Sequence, residues 1–347
     1  MKPVQVCIFD MDGVLVDVRP SYREVIRRTV SGYLEVFLGK APGSLERLVA
    51  PEDVAALKLA PGFNNDWVLT TALVRYFLAR LPTLEPPVLP PEASAAEVLA
   101  CLRGAGAHLN VASDGLWRGA DIPAFARQVA AAGGGLEGVG KVLGDGANTW
   151  YAFAEGDLCQ RNLVKRMFQE LYLGRDLFAD TYGEAPLWHS GGGLIERETL
   201  FPSRRVLEAL ASRRPLAIAT GRPRAEVIHA IEQFGLEDLF AAAVDLDDVE
   251  EAQAATGSPC LGKPHPFSLL EAARRAGGAG KRCAYVGDQP DDMRAARRAA
   301  EVQPFIAVGC VVMAQDSTMA EDALWRAGAD VVIHHPDDLA AYLEGCT

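Results

Sequence analysis

The sequence contains no uninterrupted apolar run near the ~18 residues that a membrane-spanning helix needs, so no membrane partner is expected. Its first apolar stretch stops at Asp10, too short for the core of a secretory signal, and no small-residue cleavage pattern comes after it. Cysteine is sparse and poorly spaced for staples or zinc: there are seven, an odd number, and no two form C-x-x-C. Cys7, Cys283 and Cys310 lie in apolar runs and read as buried free thiols of a reducing, cytoplasmic compartment. The six histidines include the adjacent pair His334 and His335 but no H-E-x-x-H. Positive charge is in deficit, with 34 Lys and Arg against 46 Asp and Glu, a net charge of −12. An acidic chain is a poor non-specific binder of nucleic acid, though a local basic pocket can still hold a small anion.

What is present is ordinary for a globular protein: 49% hydrophobic and 23% charged residues over 347 positions, which suggests about two domains. Val4–Phe9 is continuously apolar, as in a strand buried on both faces of a parallel sheet. From Leu207 onward short apolar runs (Leu216–Ala219, Phe240–Val244, Cys283–Val286, Phe305–Val308, Val331–Ile333) alternate with helical patterns. That alternation predicts an α/β fold, a parallel sheet with helices on both faces.

Between these parts the pattern changes. Pro20 can open a helix, and Tyr22, Val25, Ile26, Val30, Tyr33, Leu34 and Phe37 recur at a 3.6-residue period. Further amphipathic helices are predicted at Asp66–Leu81 and Asn162–Leu173. Arg19 to Leu200 therefore reads as a large, mostly helical insert, and residues 1–18 and 201–347 as one α/β domain split in sequence. Within the insert, Leu81–Pro91 is a proline-rich loop and Ala130–Gly146 a Gly- and Ala-rich surface excursion. His108–Ala112 with Ser113-Asp114-Gly115 suggests a strand and turn. Gly133, Gly135 and Gly138 spell G-x-G-x-x-G, and Gly135 to Gly140-Lys141 nearly spells a P-loop. The first is preceded by no strand and the second has Val142 where Ser or Thr is needed, so neither supports nucleotide binding.

The chemistry lies at predicted strand ends: Asp10-Met11-Asp12-Gly13, Thr220-Gly221-Arg222, Lys263-Pro264 before a helix, and Gly287-Asp288 to Asp291-Asp292. Ligands bind just outside the carboxyl ends of parallel strands, where such residues converge. Several carboxylates in one crevice repel each other unless a cation intervenes, and an all-oxygen donor set selects Mg²⁺. A carboxylate nucleophile attacking a phosphate dianion needs that metal, an ammonium and backbone N–H groups. Lys263 supplies the ammonium, while Thr220 and the N–H groups after it can bond phosphoryl oxygens. Asp12 is placed to protonate the leaving oxygen and then to accept a proton from water. The residues thus read as phosphoryl transfer through an aspartyl-phosphate. Asn64 and Asn65 are candidates for a loop that contacts substrate, with Asp66 the alternative as a helix N-cap. Gly221 and Arg222 are candidates for substrate binding, with a place on the rim the alternative for Arg222.

Asp10-x-Asp12-Gly-Val-Leu, Thr220-Gly221, Lys263-Pro264 and Gly287-Asp288-x-x-x-Asp292, in this order, resemble the haloacid dehalogenase (HAD) superfamily, subfamily I, with a helical cap inserted after the first motif. The resemblance covers residues 1–18 and about 201–347. It implies a Rossmann-like core, Asp10 as nucleophile, Asp12 as acid and base, and Thr220 and Lys263 on the phosphate. It also implies Mg²⁺ held by Asp10, Asp288 and the backbone carbonyl of Asp12, with Asp292 orienting Lys263 or a metal-bound water. Gly62–Trp67, Phe168–Gly174, Gly193–Glu198 and Ala219–Arg224 resemble one phosphatase-like branch of that superfamily. The stretch from about Pro82 to Gln160, and about Asp247–Pro259, depart from it. The expected activity is a Mg²⁺-dependent phosphomonoesterase on a small phosphorylated metabolite, in a monomer or homodimer. A phosphomutase and a non-catalytic sugar-phosphate-binding regulator are the alternatives.

Overall fold

The structure, a computed structural model, describes residues 3–63, 65–109, 119–144, 148–258, 260–314 and 316–345. The chain divides into two compact units, Met1–Val18 with Glu198–Thr347, and Arg19–Arg197.

The first unit contains strands β1 (Val6–Phe9), β2 (Val16–Asp17), β3 (Thr199–Leu200), β4 (Leu216–Ala219), β5 (Phe240–Val244), β6 (Cys283–Gly287), β7 (Phe305–Cys310) and β8 (Val331–Ile333). Six of them form one parallel sheet in the order β5-β4-β1-β6-β7-β8. Every residue of β1, β4, β6 and β7 is buried. Successive side chains of a strand point to opposite faces, so both faces of the sheet are covered, as the continuous apolar runs predict. Helices Phe267–Arg275 and Pro290–Ala299 contribute Leu269, Ala272, Ala273, Met293, Ala295 and Ala296 to the same core as Val6, Ile8 and Tyr285.

Chain order fixes where a ligand can bind. From β1 the sheet grows through β4 to β5 on one side, then restarts at β6 on the other. The strand order reverses at β1, which opens a crevice at the carboxyl ends of β4, β1 and β6. Phe9 lies level with both Ile218 and Val286, so the residues just beyond these strands emerge together.

β2 and β3 pair antiparallel, Val16 with Leu200 and Asp17 with Thr199. The Phe201 N–H donates to the Leu15 carbonyl at 2.8 Å and extends the pairing. The chain therefore leaves and re-enters the first unit through two bonded strands.

The second unit is built from helices Tyr22–Leu38, Pro51–Lys58, Asp66–Leu78, Ala95–Leu102, Ile122–Ala131, Gly135–Leu143 and Leu163–Tyr182. The apolar stripe predicted for the first of these is buried throughout. Leu81–Pro91 has no regular structure, and Val88 in it is fully exposed.

Other readings need correction. Ala130–Gly146 is not a surface excursion: most of it belongs to two packed helices, with Val129, Gly138 and Val139 buried. Its glycines serve close approach, since the Gly135 N–H donates to the Pro61 carbonyl at 2.9 Å and a Cβ on Gly134 would strike Pro61. The predicted helix ending at Leu173 runs on to Tyr182 through a break at Gly174, whose φ is +74°. Gly174 has no room for a side chain against the Gly192–Gly193 backbone. The unmatched segment after Asp247 forms helix Leu246–Thr256, started by Asp245, which accepts from the Asp248 N–H at 2.9 Å. Of the strand and turn predicted at 108–115, residues 110–115 lie outside the described set, and Ala107–Leu109 is a single 3₁₀ turn.

Candidate active site

Asp10 continues β1, its N–H donating to the Val286 carbonyl at 2.8 Å. Its own Oδ1 accepts from the Met11 N–H at 2.8 Å, and the side chain is almost wholly buried. A tight turn comes next, in which the Leu15 and Val16 N–H groups both donate to the Met11 carbonyl. Gly13 takes φ +74°, and a Cβ there would collide with the Asp288 carboxylate. The glycine thus serves both the turn and the approach of a second acid.

Lys263 lies at the centre. Its Nζ is 3.0 Å from Asp10 Oδ2 and 2.9 Å from Asp292 Oδ1. It also donates to the Tyr285 hydroxyl at 2.6 Å, and that hydroxyl lies 3.0 Å from Asp292 Oδ1. Asp292 Oδ2 accepts from the Gln289 N–H at 2.9 Å, closing a capping box on helix Pro290–Ala299. Asp292 fits beneath β6 because Gly287 has no side chain; a Cβ there would strike its carboxyl.

Asp10, Asp288 and Asp292 each bring a carboxylate oxygen within 4.8 Å of the others. Burial pushes the Asp10 carboxyl up to about 7; the Lys263 ammonium opposes this, and Asp292 and Asp12 add to it. Burial would push Lys263 down, but the carboxylates of Asp10 and Asp292 outweigh it and hold the ammonium above its usual range. Tyr285 is pushed far up by burial and by the same two acids, so its phenol stays neutral.

Thr220 lies just past β4 and is buried, with its N–H on the Val244 carbonyl at 3.0 Å. Its Oγ1 accepts from the Arg222 N–H at 3.2 Å, which leaves the hydroxyl proton available. Gly221 is exposed, with open space where a side chain would stand.

Two predicted site residues, Arg222 and Asn65, sit otherwise than expected. Arg222 is not on a rim: its guanidinium is 1% exposed and bonds Asp12 Oδ1 through Nε and Glu198 Oε2 through Nη2 at 3.0 Å. The Asp12 carboxylate faces Arg222 and is outside the cluster of three acids, so only its backbone carbonyl is left as a metal donor. Asn65, not Asp66, caps helix Asp66–Leu78: its Oδ1 accepts from the Trp67 and Val68 N–H groups at 2.9 and 3.2 Å. Asp66 instead pairs with Lys58 at 2.6 Å. Asn64 lies outside the described residues.

Two residues escaped the sequence reading. Tyr285 stands inside an apolar strand, and its one visible signal is that a buried phenol must find a polar partner. Glu198 ends a segment already singled out, Gly193–Glu198, but nothing in the sequence shows that it is buried against Arg222.

The second unit holds a cavity of about 930 Å³ lined by Arg75, Trp150, Phe153 and Arg161 among others. None of the four motifs contributes to it, so the carboxylate cluster remains the candidate reaction site.

Comparison with known proteins identifies the family. The family model of haloacid dehalogenase-like hydrolases matches residues 4–300. A protein of Phytophthora nicotianae named imidazoleglycerol-phosphate dehydratase is 26% identical over 303 residues, covering 87% of this chain and 43% of that one. The phosphoglycolate phosphatase of Escherichia coli K12 is 30% identical over 133 residues, 38% of this chain and 46% of that one. The chain thus spans less than half the length of these curated relatives. Among solved structures, an X-ray structure of a structural-genomics target aligns with TM-score 0.66 and 20% identity over 99% of both chains. The phosphatase Tt82 from Thermococcus thioreducens aligns with TM-score 0.54 and 22% identity, covering 92% of this chain and 99% of that one. That family model covers most of the sequence, so the chain belongs to the haloacid dehalogenase-like hydrolases.

Proposed function

We propose that this protein is a Mg²⁺-dependent phosphomonoesterase that works through an aspartyl-phosphate on Asp10. The observation that carries the reading is the placement of Asp10 against Lys263, with Asp288 and Asp292 beside it, at the point where strand order reverses. The donor set fits Mg²⁺, being hard oxygens with no thiolate or imidazole among them. Asp10, Asp288 and the Asp12 carbonyl would hold the ion. Asp292 has both oxygens engaged by Lys263, Tyr285 and the Gln289 N–H, which suits a residue that fixes the lysine. When bound, the metal neutralises negative charge shared by nucleophile and phosphate.

The chain's own residues do the rest. Lys263 and the Thr220 hydroxyl bind phosphoryl oxygens. Asp10 forms a bond to phosphorus as the ester P–O bond breaks, and the protonated Asp12 carboxyl gives its proton to the leaving oxygen. Water then attacks phosphorus, passes a proton to the Asp12 carboxylate and releases inorganic phosphate from Asp10. The names of the Escherichia coli and Thermococcus relatives support phosphate-ester hydrolysis.

The test is a phosphate-release screen over sugar phosphates, phosphoglycolate-like acids, nucleotides and amino-alcohol phosphates. One class should release phosphate, chelator should abolish release and Mg²⁺ restore it, and Asp10→Asn should lower kcat by about 10⁴-fold or more with the fold retained. Full activity in metal-free protein or in Asp10→Asn refutes the mechanism. Conversion of a phosphate ester to its isomer without phosphate release identifies a phosphomutase instead.

A further inference from the structure

Arg222 is a large cation placed where water barely reaches it, at 1% exposure, and Glu198 beside it is wholly buried. Such a pair is costly to bury and often contributes little to stability, so its position rather than its strength calls for a role. Its outer end gives that role. Nη2 bonds Glu198 Oε2, while Nε donates to Asp12 Oδ1. The Asp12 side chain is about one-third exposed, so it bridges the buried pair and the crevice.

The backbone around the arginine is fixed as well. Its N–H bonds Thr220 Oγ1 at 3.2 Å, and its carbonyl accepts from the Leu246 N–H at 2.9 Å. Glu198 is anchored by its immediate neighbours in sequence, Thr199 and Leu200 of β3, which pair with β2. Two rigid supports therefore hold one guanidinium fork.

We propose that Arg222, held by Glu198, is a positioning residue that orients Asp12 for proton transfer; this rests on the phosphomonoesterase reading above. The bond engages Oδ1, an oxygen that accepts an N–H whether or not the carboxyl is protonated. It therefore survives the whole proton cycle and confines the mobile proton to Oδ2. Glu198 balances the guanidinium charge, so Asp12 is aimed by a directional bond instead of being locked as the arginine's sole counter-ion. A lysine at 222 has no planar fork to hold two carboxylates in the fixed directions that the guanidinium gives them.

Leaving-group dependence separates positioning from a merely structural role. kcat/KM reports the steps up to departure of the leaving oxygen, and only poor leaving groups need a proton there. In the full-length Mg²⁺-loaded protein, Arg222→Met should lower kcat/KM for an alkyl phosphate by about 100-fold and for 4-nitrophenyl phosphate by no more than about threefold. Arg222→Lys should show the same split. Asp12→Asn should show it too, and adding Arg222→Met to Asp12→Asn should cost nothing more. If Arg222→Met leaves Glu198 stranded and unfolds the protein, Arg222→Met/Glu198→Gln removes both charges and must show the split. Equal losses on both substrates, or no loss, overturn the positioning role while Asp12→Asn still shows the split. An Asp12→Asn variant without the split, or a wild-type protein that releases phosphate from no ester of the screen, overturns the phosphomonoesterase reading and the inference with it.

Discussion

Asp10 and Lys263 illustrate how the candidate site stores unfavourable electrostatics in a stable fold. The ordinary carboxyl value of 3.8 rises to about 7 at Asp10, first through burial, with Lys263 pulling the other way. A folded value above the unfolded one makes the ionised form the costly one. The residue's contribution to stability is therefore undiminished below pH ~4, falls as pH rises through the interval to about 7, and stays low above it. A bound divalent cation requires the ionised form. The gain in Tm on adding Mg²⁺ should thus be larger at pH 8 than at pH 5.5, and Asp10→Asn should flatten that difference. A Tm gain independent of pH in the wild type would contradict this. Asp10, Asp12 and Asp288 were singled out in sequence as charges at the ends of apolar strand patterns, and Lys263 and Asp292, beside helix starts, by their motifs and order. Arg222 was legible as a candidate but not in its contacts: its partners Asp12 and Glu198 lie far away along the chain, and only folding brings them together.

At the scale of elements, Glu170 organises a turn of the inserted unit. It is wholly buried on helix Leu163–Tyr182, bonds Arg166 Nε at 2.9 Å and accepts from the N–H groups of Leu187, Trp188 and His189 at 2.7–3.0 Å. One carboxylate thus compensates a buried cation and three backbone donors. Glu170→Ala removes all four bonds and should destabilise the protein by about 3–5 kcal/mol, read as a lower urea midpoint. An unchanged midpoint would contradict the assignment. The Phe168–Gly174 stretch, singled out by resemblance, is architectural in the same way: Tyr172 stacks on Tyr22 at 4.4 Å, and Gly174 breaks the helix where Gly193 approaches. Helix Leu246–Thr256 escaped the sequence reading because its apolar periodicity is weak. Its start is held by Arg224 on Asp245 and Asp248, and by Arg275 on Asp248, partners remote in sequence.

At the scale of the whole molecule, one unit is interrupted by another. β2 and β3 bring the two crossing points side by side, so the first unit has a ready-made closure. Replacing residues 19–197 by Asn-Gly should convert the two strands into a hairpin and leave a folded α/β protein with cooperative thermal unfolding. A molten or aggregated product would show that the first unit depends on the insert. The amino-acid sequence by itself determined the parallel sheet, the four motifs and the helical character of the insert, because apolar periodicity and strand-end charges are local signals. Only tertiary structure decided which carboxylates share Lys263, that Tyr285 joins them, that Gly134 and Gly138 lie in close contacts, and that Arg222 links Asp12 to Glu198. Those facts depend on distances between residues remote in sequence, and such distances are set by strand order and burial.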